Sequence, residues 1–306
     1  MSALTTNAEI TTEVPSRVQA YVALTKLRIS VMVLLTFAVA AVLAANADPD
    51  VSIGFGWMFA ALVGMLMIAS SGNAMNMYLE RYSDFLMPRT AGRPLPAQRL
   101  SANEVASFAA VTFGIGVAFL FAAVNWETAV CGIANWILYV FIYTPLKRTT
   151  PLNTEIGAVA GAMPIVMGSL AATATVGLVC WSFFGVLLLW QFPHFMAIAW
   201  IYRDQYAKGG LKMLTVTEPT GAAAGRKGIV TGVLLIAVSL MPIMALRTQA
   251  HGWIFAVIAI VLGLYYLRPA IAFNADRNDV TARRLLRVSL LYLPAYMLLL
   301  IVCCLS

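Results

Sequence analysis

The stretch Asn73-Ala-Met-Asn-Met-Tyr-Leu-Glu-Arg-Tyr-Ser-Asp84 sits where a long apolar run gives out, and it sets Asn76, Glu80 and Asp84 four residues apart. On a helix of 3.6 residues per turn each step of four drifts only about 40°, so the three side chains fall within roughly 80° of arc. They present oxygens on one side of a helix at the edge of an apolar layer. Two carboxylates and an amide suit Mg²⁺, which takes hard oxygen ligands and completes its octahedron with water and phosphate oxygens. The same spacing also fits plain helix-surface pairing of Glu80 and Asp84 with Arg81 and Arg89 in water.

Outward from this motif the chain is strongly apolar. Of its 306 residues 61% are hydrophobic and 11% charged, with a mean hydropathy of +0.84, which excludes an ordinary soluble domain. Nine segments, near 27–45, 52–75, 103–124, 127–145, 154–175, 178–202, 228–246, 252–272 and 285–304, are each long enough to cross a bilayer of about 30 Å as a helix. The expected fold class is therefore an all-α polytopic membrane protein of nine transmembrane helices.

All but Arg247 of the 20 Lys and Arg residues precede the first span or follow spans two, four, six and eight. Because cytoplasmic loops carry the basic excess, this places the N-terminus in the cytoplasm and the C-terminus outside. The net charge of +7 then reflects topology, and no nucleic-acid partner is expected. Residues 1–20 are polar, with Glu9, Glu13 and a single Arg17, unlike a secretory signal or an Arg-rich transit peptide. They are expected to form a disordered cytoplasmic tail ahead of one transmembrane domain over 21–306, in a bacterial plasma membrane. Cys131, Cys180, Cys303 and Cys304 show no CxxC spacing, and no disulfide framework is expected.

Four basic loops on one face can converge. The loop after span two reads Met87-Pro-Arg-Thr-Ala-Gly-Arg-Pro-Leu-Pro96, in which Arg89 and Arg93 are spaced to grip a phosphate or to touch lipid headgroups. After span four, Tyr143-Thr-Pro-Leu-Lys-Arg-Thr-Thr-Pro-Leu-Asn153 joins Lys147 and Arg148 to four hydroxyl side chains, a turn suited to an anion. Gly157 and Gly161 in span five allow close helix packing or room for a flat ligand. In span six, Gln191 and His194 flank Pro193, which is expected to kink the helix; polar groups so deep face a cavity or a partner. Asp204 at the end of that span is either a further metal carboxylate or a solvated loop acid, and His251 is expected to be structural.

Together these segments resemble the UbiA superfamily of intramembrane prenyltransferases, from Thr25 to the last span. The resemblance rests on Asn76-x-x-x-Glu80-x-x-x-Asp84, Arg89-Thr-Ala-Gly-Arg-Pro, the Tyr143–Asn153 turn, and Trp190-Gln-Phe-Pro-His-Phe with Asp204 beyond it; the last two point to the heme-modifying branch. The chain departs from the family's pattern at Leu27, Ile165 and Lys212, none of them a proposed ligand.

The resemblance implies a bundle capped by cytoplasmic loops that binds farnesyl diphosphate and protoheme IX from the lipid bilayer. It implies Mg²⁺ on Asn76, Glu80, Asp84 and Asp204, and diphosphate on Arg89, Arg93, Lys147 and Arg148. Catalysis would rest on Asn76, Glu80, Asp84 and His194, with His194, Tyr143 and Gln191 at the acceptor. The reaction implied is farnesyl transfer to a vinyl group of the heme with water addition, giving heme O for heme-copper oxidases, with heme A synthase as a candidate partner. Two rival expectations are a quinone or chlorophyll prenyltransferase and a heme-binding carrier or assembly protein. Against a carrier, no pair of Gly/Pro-interrupted spans recurs in corresponding halves.

Overall fold

The computed structural model of the chain describes residues 16–246 and 248–305. Among these residues there is no strand, and nine helices are long and apolar enough to cross a membrane: Leu27–Ala47, Phe55–Leu86, Ala102–Ala123, Trp126–Leu146, Asn153–Thr173, Leu178–Ile201, Ala222–Ala245, His251–Ala275 and Asp279–Leu305. Helices are the expected solution in lipid, because each satisfies its backbone polar groups within one segment. The chain is a multi-pass membrane protein of the expected class.

Several helices overrun the apolar segments that announced them. The second runs for 32 residues, about 48 Å at 1.5 Å per residue, well beyond a hydrocarbon layer of about 30 Å. Its extra turns carry Glu80 and Asp84. The seventh and ninth begin at Ala222 and Asp279 rather than near 228 and 285, because helix continues through charged residues that hydropathy places outside the span. Residues 17–20, expected in the tail, instead belong to a helix, Arg17–Leu24, opened by a capping box between Ser16 and Gln19. The expectation for residues 1–15 lies outside the described residues. Pro193 leaves the sixth span unbroken from Leu178 to Ile201, while the fourth ends in a π-helical turn, Leu138–Tyr143, just ahead of Pro145.

Two apolar cores dominate the packing of the bundle, and span one contributes to both. Spans one to five enclose Phe37, Met65, Ile68, Leu120 and Met167. Spans six to nine enclose Phe183, Phe255, Tyr266, Tyr292 and Tyr296, and this larger core also reaches Ala162 and Ile165 of span five. Large apolar side chains such as Phe59, Phe121, Val257, Leu291 and Leu298 point outward, as lipid-facing residues do.

At the basic end the loops do converge. Met87, Tyr206 and Leu211 form a small core between the loops after spans two and six. The Lys212 N–H donates to the Lys147 carbonyl at 2.6 Å, joining the loops after spans four and six. Arg203 reaches Asp279 at the start of span nine, 3.1 Å away. The four cysteines are free thiols.

Candidate active site

The site begins with a break in the chain. Lys26 takes a left-handed backbone conformation, φ 47°, between the helix Arg17–Leu24 and the first span. Asn73 holds this break, its amide donating to the Thr25 carbonyl at 3.1 Å. The break turns the Lys26 ammonium onto the second span, where it donates to Asn76 Oδ1 at 2.8 Å. The Asn76 amide in turn donates to the Thr144 hydroxyl at 3.2 Å.

One and two turns further along, Glu80 and Asp84 are buried on the same face. Lys147 Nζ lies 2.7 Å from Glu80 Oε1, and Arg93 Nη1 lies 2.6 Å from Asp84 Oδ2 and 4.0 Å from Glu80 Oε2. Arg148 donates to the Ser83 hydroxyl at 3.0 Å. The pairing on the helix surface that the spacing also allowed is absent: Arg81 donates to the Tyr78 carbonyl and stacks on Tyr78 and Tyr82. Arg89 stands over Tyr202 and donates to the Tyr206 hydroxyl at 3.5 Å. The counter-charges come from the loops instead.

Electrostatics ties these groups into one cluster. Burial, and next the charge of Arg93, pull the Lys26 ammonium down to about 7. Burial also opposes the charge on Lys147, but Glu80 outweighs it and raises this ammonium above its ordinary value. Burial raises the Tyr206 phenol against the opposing charge of Arg89. Among the described residues Lys26, Arg93 and Lys147 face two carboxylates, Glu80 and Asp84, and Lys26, bonded to the Asn76 amide, is the one of the three without a carboxylate partner of its own. An anion is the ligand that such a cluster accepts.

Among the described residues no three His, Cys, Asp or Glu side chains gather into a metal cage. The donor set is smaller, two carboxylates and an amide, which suits Mg²⁺ when a phosphate completes the shell. Asp84 Oδ1 supports the fit: it is a buried carboxylate oxygen with no hydrogen-bond partner among the described residues.

The other predicted residues are more scattered. Asp204 is exposed on the short helix Arg203–Lys208, next to Gln205, which accepts from the Arg89 N–H at 3.2 Å. Tyr143 lies under Lys147, with Nζ 4.5 Å from its ring centroid, and is stacked on Tyr139. It packs against Gly157, where an added Cβ would come within 2.5 Å of the ring. Gln191 fills the notch at Gly161 and donates to the Ala158 and Leu187 carbonyls. The two glycines thus make room for the chain's own side chains. His194 turns to span nine, with Nδ1 2.8 Å from the Ser289 hydroxyl and its ring stacked on Trp190.

Sequence reasoning missed Lys26 and Ser83, and it read Thr144 as a hydroxyl of an anion-binding turn rather than as the acceptor for Asn76. Lys26 reads as one more basic residue before a span, and no helical spacing relates it to Asn76. Its signal was a cation placed directly against the apolar segment, a position where charge is costly unless paired.

A polytopic bundle with acids and cations buried together at its basic end is the architecture of an intramembrane prenyltransferase, and the chain belongs to the UbiA prenyltransferase family, whose model matches residues 33–298. The protoheme IX farnesyltransferase of Rhodopirellula baltica is 39% identical over 280 residues, covering 90% of this chain and 96% of that protein. The enzyme of the same name from Salinibacter ruber is also 39% identical, over 81% of this chain and 86% of its own length. The mitochondrial protoheme IX farnesyltransferase of Arabidopsis thaliana is 34% identical over 90% of this chain and 63% of its own length.

The fold recurs in a solved digeranylgeranylglyceryl phosphate synthase, with a TM-score of 0.76, 15% identity and coverage of 94% and 99% of the two chains. It recurs also in a UbiA homologue from Archaeoglobus fulgidus bound to DMAPP and Mg²⁺, with a TM-score of 0.69, 15% identity and coverage of 92% and 98%. Membership of a prenyltransferase family sets aside the carrier reading.

Proposed function

We infer that this chain transfers the farnesyl group of farnesyl diphosphate to a vinyl group of protoheme IX. The allylic carbon–oxygen bond breaks, the freed farnesyl carbon bonds the terminal vinyl carbon, and water oxygen adds to the inner one. A proton leaves, and the products are heme O and diphosphate. The observation that carries this reading is the buried charge cluster of Asn76, Glu80, Asp84, Lys26, Arg93 and Lys147 in a chain about two-fifths identical to protoheme IX farnesyltransferases.

The leaving group gains negative charge as its bond to carbon breaks, so preorganised cations lower the barrier. Lys147, Arg93, Arg148 and Arg89 bind the diphosphate, with Lys26 as an additional cation beside Asn76. Lys147 and Arg93, now paired with Glu80 and Asp84, are the cations placed to meet phosphoryl oxygens, and the two carboxylates would then be free to hold the metal. Asn76, Glu80, Asp84 and Asp204 would hold Mg²⁺, which neutralises charge on the diphosphate when bound. No nucleophilic side chain is needed. Asp204 lies on the short helix whose neighbouring residues, Gln205 and Tyr206, bond Arg89.

His194 faces the acceptor, Gln191 contributes by holding spans five and six together, and Tyr143 borders the diphosphate end beneath Lys147. The basic end faces the cytoplasm by the excess of Lys and Arg there, the membrane is a bacterial plasma membrane, and heme A synthase is a partner that would consume the product.

The experiment is to incubate the purified protein in lipid with protoheme IX, farnesyl diphosphate and Mg²⁺ and to analyse the extracted heme by mass spectrometry. A product heavier by one farnesyl and one hydroxyl group, dependent on Mg²⁺ and lost in Asp84→Asn, is expected. Farnesylation of a quinone precursor in preference to heme would overturn the acceptor.

A further inference from the structure

We propose that Ser289 is a positioning residue for the acceptor half of the reaction, one that holds His194 as its Nδ1–H tautomer and leaves Nε2 with the lone pair that meets the heme. The proposal rests on farnesyl transfer to heme as the reaction.

Proton counting at one oxygen fixes the tautomer. Ser289 Oγ lies 2.6 Å from the Leu286 carbonyl oxygen. A carbonyl has no hydrogen to give, so the single hydroxyl proton of Ser289 occupies that contact. The same Oγ lies 2.8 Å from His194 Nδ1. With its proton already engaged, Oγ can only accept there, and Nδ1 must be the donor. In a neutral imidazole one nitrogen donates and the other accepts, so Nε2 carries the lone pair. Ser289 is fully buried, and water does not compete for these bonds.

The ring's orientation is fixed as well. The Trp190 indole stacks on the imidazole, with centroids 4.7 Å apart and planes 21° apart, and its Nε1–H donates to the Ser289 carbonyl at 2.8 Å. The Tyr266 hydroxyl donates to the Trp190 carbonyl at 2.8 Å, tying the stack to span eight. Ser289 thus engages both aromatic residues, one through its side chain and one through its backbone. A histidine that served packing alone would have both nitrogens satisfied. Here Nε2 makes no hydrogen bond among the described residues, and the ring is only part-buried. A neutral imidazole whose N–H is anchored by a second group is the arrangement that presents a lone pair in a fixed direction.

The tautomer is measurable without substrate, because the chain has only two histidines. In the full-length His251→Gln protein, labelled with ¹⁵N-histidine and held in lipid nanodiscs, His194 is the one imidazole observed. A protonated Nδ1 and an unprotonated Nε2 are expected. Ser289→Ala should shift the ring to the Nε2–H form or to a mixture, and Ser289→Thr, which keeps the hydroxyl, should preserve it. Turnover should follow: Ser289→Ala should lower kcat about tenfold, the loss typical of removing an orienting partner, with KM for farnesyl diphosphate unchanged and recovery in Ser289→Thr.

An Nε2–H ring in the His251→Gln protein would overturn the proposal by itself, even if Ser289→Ala failed to assemble. So would Ser289→Ala with unchanged tautomer and turnover, or Ala and Thr variants that are equally impaired. The expected tautomer in a protein that yields no farnesylated heme would overturn the reaction, and with it the role of Ser289 but not the tautomer.

Discussion

At the basic end of span two, Glu80 and Asp84 are met by Lys147 and Arg93, cations brought in on two loops. Within span six, His194 is held by neutral groups, a serine hydroxyl of span nine and an indole one turn away on its own helix. A buried charge costs several kcal/mol unless an opposite charge stands beside it, so the first region has to recruit residues from outside its own helix. A neutral polar ring needs only a hydrogen bond and a stacking partner. The difference matches the two substrates: an ionic cluster handles the diphosphate, and a neutral, oriented ring handles a flat acceptor dissolved in lipid.

The ionic region is most sensitive at Asp84. Asp84→Asn keeps the size of the side chain and removes its charge, and is expected to lower turnover about 1000-fold, the upper range for losing one preorganised electrostatic group; farnesylated heme counted by mass spectrometry checks this. If turnover survives, the ionic half is structural. Next is Lys147→Ala, which leaves Glu80 buried without its 2.7 Å partner and should destabilise the protein by about 3 kcal/mol. Thermal unfolding in detergent measures it, and Glu80→Gln added to Lys147→Ala should recover most of the loss.

Gly157→Ala sharpens the boundary between the two halves. The new Cβ would stand 2.5 Å from the Tyr143 ring, and overpacking of this kind costs about 1–3 kcal/mol. The melting temperature should fall and KM for farnesyl diphosphate should rise, because Tyr143 lies under Lys147; an unchanged KM would separate Tyr143 from the diphosphate end. The smallest effect is expected from Lys26→Gln, which can still donate to Asn76 but lacks the charge. KM for farnesyl diphosphate should rise about tenfold, equal to about 1.4 kcal/mol, with kcat for heme unchanged. A fall in kcat alone would move Lys26 out of the diphosphate subsite.

Legibility followed the range of the interactions. Asn76, Glu80 and Asp84 were readable because all three ride on one helix, where spacing of four converts directly into a shared face. Arg93, Lys147 and Arg148 were readable as loop cations but not as partners: the spacing offered Arg81 and Arg89 to the two acids, and the folded chain uses Lys147 and Arg93. Gln191 and His194 stood out by polarity at depth, yet nothing local indicates that one turns to span five and the other to span nine. Lys26 carried no periodic signal at all.

The membrane class, the nine spans, the basic end and the acidic face of span two were legible in the residues alone, because hydropathy, charge placement and helical period act within a segment. Helix packing sets which cation neutralises which carboxylate, that Gly157 and Gly161 receive side chains of the chain itself, and which nitrogen of His194 carries the proton. Those outcomes depend on contacts made across loops and between helices, from the 9 positions that separate Asp84 and Arg93 to the 95 that separate His194 and Ser289. Such contacts exist only once helices have packed, and helical periodicity holds no information about them.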